Sequence, residues 1–177
     1  MAEGGERSLK MLAAAMEKEE RGRAFYAEAV DKCSNELGKQ IFRTLAAEEG
    51  IHLKRVKEIY EALKAGKSWS GDWRAHTQDN EDLEKLFKER MAAQGTKITA
   101  DTGDLEAVEI GLEFEQGAVK FFEQALTEAV EPLEKEFIEL MIREERSHYE
   151  SLADVKLFLT DPESWFSASE HHGLDGG

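Results

Sequence analysis

Glu49 and His52, and again Glu145 and His148, form two Glu-x-x-His steps, each preceded thirty residues upstream by another glutamate, Glu19 or Glu115. On a helix, Glu-x-x-His sets a carboxylate oxygen and an imidazole nitrogen on one face, one turn apart, which makes a pair of donors for a metal ion. A single copy in a glutamate-rich chain carries little weight, because a solvated helix face produces the same spacing. Here the chain repeats itself at an offset of 96 residues without a gap. EKEERGRAFY from Glu17 overlays EFEQGAVKFF from Glu113, Leu37 overlays Leu133, Glu48-Glu49 overlay Glu144-Glu145, and His52 overlays His148.

All six residues fall where an apolar residue is due in a helical seam. Unpartnered buried carboxylates are costly, so such groups are paired, neutralised or bound to metal. Four glutamates in one layer would repel one another; two divalent cations would cancel their charge, with the two imidazoles binding as neutral donors. Oxygen-rich donors with imidazole suit iron and also manganese, which spacing does not separate. Glu17, Glu48, Glu113 and Glu144 are rotated off the seams and are expected at the surface.

The elements that must position these groups are helices. Leu9, Leu12, Met16, Glu19, Arg23, Tyr26, Val30 and Cys33 recur at steps of three and four. A second seam runs Phe42, Leu45, Glu49, His52, Val56, Ile59, Leu63; a third Leu105, Val108, Leu112, Glu115, Val119, Phe122, Leu126, Ala129; a fourth Ile138, Met141, Glu145, His148, Leu152, Val155, Leu159. Ser34-Asn35 and Pro132 mark short turns, so each pair of helices is an antiparallel hairpin. Residue 34 lies midway between Glu19 and Glu49, and residue 130 midway between Glu115 and Glu145. Each pair therefore sits at one level, roughly 22 Å from its turn at 1.5 Å per residue. Between the hairpins, residues 66–103 read as a crossover: loops at GKSWSGDWRAHTQDN and QGTKITADTG flank a short helix at about Glu81–Ala93. Trp69, Trp73 and His76 in the first loop are expected to cover a bundle edge. Asp161-Pro162 ends the fourth helix, and residues 161–177 read as a tail, pinned by Trp165 and Phe166, in which His171 and His172 are not ligands. The expected architecture is all-α: one domain over 1–177, with a four-helix bundle at about 8–160.

Composition narrows the function. Among 177 residues there are 38 acidic and 23 basic, a net charge of −15, and only two prolines. Such an acidic chain is a poor partner for nucleic acid or anionic membrane. The single cysteine, Cys33, excludes disulfide frameworks and Cys-rich metal modules. No phosphate loop and no His-Glu-x-x-His occurs. The amino terminus lacks the apolar stretch of a secretory signal, and no apolar run reaches membrane-spanning length, so the expectation is a cytoplasmic protein.

Glu19, Gly22, Phe25 and Tyr26 (E-x-x-G-x-x-F-Y), Ala47 to His52 (A-E-E-x-x-H) and Glu144 to His148 (E-E-x-x-H) resemble the helix motifs of the rubrerythrin family within the ferritin-like di-iron superfamily. The resemblance spans about residues 8–160. It implies a ferritin-like bundle with two iron ions, Glu19 and Glu115 as terminal ligands, Glu49 and Glu145 bridging, and His52 and His148 each completing one metal. Tyr26 resembles the family's tyrosine beside the site, with core packing as the alternative reading; its repeat partner is Phe122. The chain departs from two-domain rubrerythrins in two ways. It has no Cys₄ rubredoxin part, and Ala118 stands where they carry a further glutamate; the remaining four-Glu, two-His set is closer to that of bacterioferritins.

The activity so implied is reduction of H₂O₂ or O₂ at the di-iron site, with electrons from an external donor of rubredoxin or reductase type, in a homodimer. Iron handling of ferroxidase type and a metal-free helical interaction protein are the competing readings.

Overall fold

A computed structural model describes residues 3–76, 80–95 and 102–172. The described residues contain helices and turns and no strand. The bundle consists of α1 (Glu3–Lys32), α2 (Glu36–Lys64), α4 (Thr102–Glu128) and α5 (Pro132–Thr160), with α3 (Asn80–Gln94) in the crossover and α6 (Pro162–His172) at the carboxy end. α1 pairs with α2 and α4 with α5, and α1 packs on α4 to join the hairpins. This is the all-α four-helix arrangement expected from the seams, and it agrees with the ferritin-like bundle that the family resemblance implies.

The 96-residue repeat is reproduced in burial. Ser8, Leu12, Glu19 and Tyr26 on α1 and Cys33 just after it are buried, and so are Asp104, Val108, Glu115 and Phe122 on α4 and Ala129 just after it, each at the matching position. On α2 and α5, Ile41, Phe42, Leu45 and Val56 match Phe137, Ile138, Met141 and Leu152 in the same way. One seam assignment is corrected. Arg23 is exposed and its neighbour Gly22 faces inward instead, where a Cβ would stand 3.4 Å from the Glu49 carboxylate. A charged side chain goes to water when a one-residue shift in the stripe offers glycine for the inward position.

Each hairpin turn is held by the first turn of the other hairpin. Asp104 at the start of α4 accepts hydrogen bonds from Ser34 N (2.8 Å), Ser34 Oγ (2.7 Å), Asn35 Nδ2 (2.7 Å) and Cys33 Sγ (2.9 Å). At the opposite end, Glu134 accepts from Ser8 Oγ (2.6 Å), Arg7 Nη2 (2.5 Å) and Val130 N (3.3 Å). Asn35 also caps α2 through Gly38 N, and Pro132 opens α5.

The crossover folds onto the bundle. Trp73 is buried against Phe137, and Trp69 lies beside the same ring, so both cover a bundle edge as expected. The side chain of His76 lies outside the described residues, as does most of the loop expected at 94–103. α3 buries Phe87 and Met91 in the core shared with α5. The expected tail is instead helical. Pro162 opens α6, and Asp161 accepts from Ser164 N (3.0 Å), which caps it. Trp165 anchors α6 edge-on to Phe158, 5.2 Å between centroids. His171 and His172 end that helix, and their side chains are not described.

Candidate metal centre

Equal turn-to-glutamate distances in the two hairpins bring Glu19, Glu49, Glu115 and Glu145 to one level with His52 and His148. Every one of the six is at most 4% exposed. Glu49, His52, Glu145 and His148 each present a donor atom, and those four atoms lie within 4.8 Å of one another. The two imidazoles stack face to face, 5.2 Å between centroids and 10° apart in plane.

The donors form two groups. His52 Nδ1 is 3.0 Å from Glu145 Oε1, 3.4 Å from Glu19 Oε2 and 4.0 Å from Glu49 Oε2. His148 Nδ1 is 3.3 Å from Glu49 Oε1 and 3.6 Å from Glu115 Oε2. Glu49 and Glu145 therefore lie between the Glu19–His52 and Glu115–His148 sets.

Whether this cluster suits metal is decided by its unmet bonding. Glu19 Oε1, Glu145 Oε1, His52 Nδ1 and His148 Nδ1 are buried without a hydrogen-bond partner. Atoms that converge at 3–4 Å without hydrogen bonds are arranged as lone-pair donors toward a common point, and four oxygens with two nitrogens fit a pair of divalent cations.

Electrostatics agree. Burial, then repulsion from Glu19 and Glu115, pushes the Glu49 carboxyl well above its ordinary range; burial, then Glu19 and Glu49, does the same to Glu145. For His52, burial favours the neutral ring, but contacts with Glu144, Glu145 and Glu19 outweigh it and raise its pKa well above the histidine norm. His148 is raised too, with Glu115 and Glu145 overcoming burial. Glu115 is held low against burial by His148 and by the Tyr26 hydroxyl. Without metal, burial and mutual repulsion favour the protonated forms of Glu49 and Glu145.

Tyr26 is fully buried and donates its hydroxyl to Glu115 Oε1. It is both a core residue and a partner of the site, so its two sequence readings coincide. Burial, then the charge of Glu115, pushes its phenol well above 10, which keeps the proton on Oη.

One surface expectation is overturned. Glu17 and Glu113 are exposed and Glu48 is half-buried, but Glu144 is buried. Arg55, also buried, reaches Glu144 Oε2 at 2.5 Å and Oε1 at 3.3 Å, and His52 Nε2 lies 3.1 Å from the same Oε2. Against burial, His52 and Arg55 hold the Glu144 carboxyl low. The signal was present as Arg55, three residues past His52 on the inward face, where a buried cation requires an anion.

Small residues leave the cluster a mouth. A cavity of about 180 Å³ between α1 and α4 is bordered by Glu19, Glu49, Glu115 and Glu145 on its floor and by Gly22 and Ala118 at its sides. At its rim Lys18 and Arg21 lie over the rings of Phe121 and Phe114.

A helical bundle with a buried carboxylate–histidine cluster that could hold a metal ion has the architecture of the ferritin-like class. The chain matches the rubrerythrin family over residues 10–156, and it belongs to that family. No curated protein and no solved structure matches it. Among the described residues, no helix is long and apolar enough to cross a membrane.

Proposed function

We propose that this protein is a di-iron oxidoreductase that reduces H₂O₂ or O₂ with electrons from an external donor. The observation that supports it best is the set of unpaired, converging donors in a buried six-residue cluster. Glu19 and Glu115 would serve as terminal ligands, Glu49 and Glu145 as shared ones, and His52 and His148 as one nitrogen donor for each metal. When bound, a pair of iron or manganese ions supplies the two electrons that, with two protons, convert H₂O₂ to two waters.

The chain's own residues handle access and protons. Gly22 and Ala118 border a cavity with room for O₂ or peroxide beside the glutamates. Tyr26 holds a proton on Oη against Glu115 Oε1, within reach of the ligand set. A rubredoxin or reductase outside this chain would return the electrons, and a homodimer in the cytoplasm is the assembly and setting that the family resemblance implies.

The test is to load the protein anaerobically with Fe²⁺, quantify bound metal, and mix it with H₂O₂ or O₂ in a stopped-flow instrument. Oxidation by peroxide within seconds supports the peroxidase form. Faster reaction with O₂, coupled to turnover of excess Fe²⁺, favours a ferroxidase. A protein that binds no metal from iron-replete medium would be an interaction module instead.

A further inference from the structure

The repeat that builds the cluster is not kept behind its two histidines. Glu144 on α5 corresponds to Glu48 on α2, and Arg55 on α2 corresponds to Ser151 on α5. In one half the outer nitrogen of the histidine is held: His52 Nε2 meets Glu144 Oε2 at 3.1 Å, and both Glu144 oxygens are fixed by the Arg55 guanidinium. Arg55 is itself 1% exposed and has Met141 Sδ at 3.6 Å. In the other half no described residue takes that place. His148 Nε2 is buried without a hydrogen-bond partner, and so is the Ser151 hydroxyl. Glu48 is half-exposed and forms no bond to His148.

A carboxylate on the far nitrogen of a histidine fixes the tautomer and the ring plane and raises the basicity of the coordinating nitrogen. With Nδ1 facing Glu19, Glu49 and Glu145, the Nε2–H of His52 points at Glu144, which is the tautomer a metal ligand needs. The ion pair also prevents Glu144 from turning inward to compete as a ligand. His148 has neither support, so its ring must find its orientation from packing and from the metal.

We propose that the two metal positions are inequivalent by construction: the Glu19–His52 position, braced by Glu144 and Arg55, binds its metal tightly and first, whereas the Glu115–His148 position is the weak, exchangeable one. This inference rests on the reading of the cluster as a two-metal centre. Glu144 and Arg55 act as positioning residues, touching neither metal. The weak position is also the one Tyr26 contacts, through Glu115, so metal exchange and proton delivery fall on the same side.

The experiment is an anaerobic titration of the metal-free full chain with Co²⁺, followed by calorimetry and by the visible ligand-field spectrum, and repeated with Fe²⁺. Two binding steps of one metal each are expected, separated by about 10–100-fold in affinity. The decisive variant is the double substitution Arg55→Met with Glu144→Leu. Apolar replacement of a buried ion pair is commonly neutral or stabilising, so this chain should fold, as circular dichroism would verify. It should lose the tight step, with the first affinity falling about 10–100-fold while the second is unchanged, and its half-saturation spectrum should change. Glu144→Gln, which keeps an acceptor for His52 Nε2, should retain two steps. Two equal sites in the unsubstituted protein, or an equal loss at both sites in the double variant, would overturn the proposal while leaving the metal centre standing. Binding of no metal at all would instead remove the two-metal reading, and this inference with it.

Discussion

Gly111 on α4 lies directly against Tyr26 on α1: a Cβ at residue 111 would stand 3.3 Å from Tyr26 Cε1 and 3.4 Å from its hydroxyl oxygen, with Leu152 Cδ1 at 3.1 Å. The absent side chain is what lets the phenol reach Glu115. Helix propensity alone would favour alanine by about 1 kcal/mol, whereas overpacking a filled core costs about 1–3 kcal/mol. Packing should win, so Gly111→Ala is expected to destabilise by roughly 1 kcal/mol and to displace the Tyr26 hydroxyl. Gly117, on the same helix, has nothing within 4 Å of its Cβ position. Gly117→Ala should therefore stabilise by about 1 kcal/mol. Thermal melts of both, with tyrosine ultraviolet difference spectra, check the contrast; a stabilised Gly111→Ala would show that the contact is loose.

A cluster built for metal should weaken the metal-free fold. Glu49 and Glu145 are both pushed well above the carboxylate range by burial and by their acidic neighbours. Replacing both with glutamine removes the repulsion while keeping the shape. The Glu49→Gln, Glu145→Gln protein is expected to gain on the order of 1–3 kcal/mol without metal and to lose the rise in Tm on adding Fe²⁺ or Mn²⁺. Calorimetric melts with and without metal would read both. A double variant that is less stable than its parent, yet still stabilised by metal, would contradict the assignment.

Much of this arrangement is legible in residue order. The four seams, the level of the six donors and the turns at residues 34 and 130 follow from a 3.6-residue period and a repeat whose register never slips. What escaped is where the two halves differ. Glu144 reads as surface because rotation on its own helix says so; only Arg55, arriving from α2, explains its burial. Asp104 and Glu134 carried no signal in the residue order, because their role as clamps needs the opposite hairpin to be in place. Gly22 rather than Arg23 faces Glu49 across the helix pair, a neighbour that no single-helix pattern contains. The helix at Pro162–His172 was hidden because Asp161-Pro162 both ends one helix and caps the next.

Asp104 gives the acid limb of stability. Burial opposes its ionisation, but hydrogen bonds from Cys33, Ser34 and Asn35 hold its pKa at about 2, against a reference of 3.8. Its folded pKa lies below the unfolded one, so the stabilisation is complete above about pH 4 and vanishes as pH falls through about 2. Asp104→Asn should cost about 2 kcal/mol at pH 7, a Tm drop of roughly 4–8 °C, and the difference from the parent should close on acidification. Urea melts between pH 2.5 and 7 test this. A gap that stays constant across that range would mean that the hydrogen bonds do not depend on the carboxylate's charge.

The same sign argument, applied to the cluster, predicts that metal-free and metal-loaded protein respond oppositely to pH. Glu49, Glu145, His52 and His148 all have folded pKa values raised above their unfolded ones. Each raised group makes the folded state bind more protons than the unfolded chain, so metal-free stability should fall as pH rises from the ordinary values of these groups through their raised ones. Metal must displace those protons, and affinity should rise by about tenfold per pH unit for each proton released. The Tm increment on adding Mn²⁺ should therefore grow over the range in which the metal-free Tm declines. Melts at matched ionic strength, with proton release measured in a weakly buffered titration, provide both quantities. Parallel pH profiles with and without metal, or binding without proton release, would show that the cluster is not protonated before metal arrives.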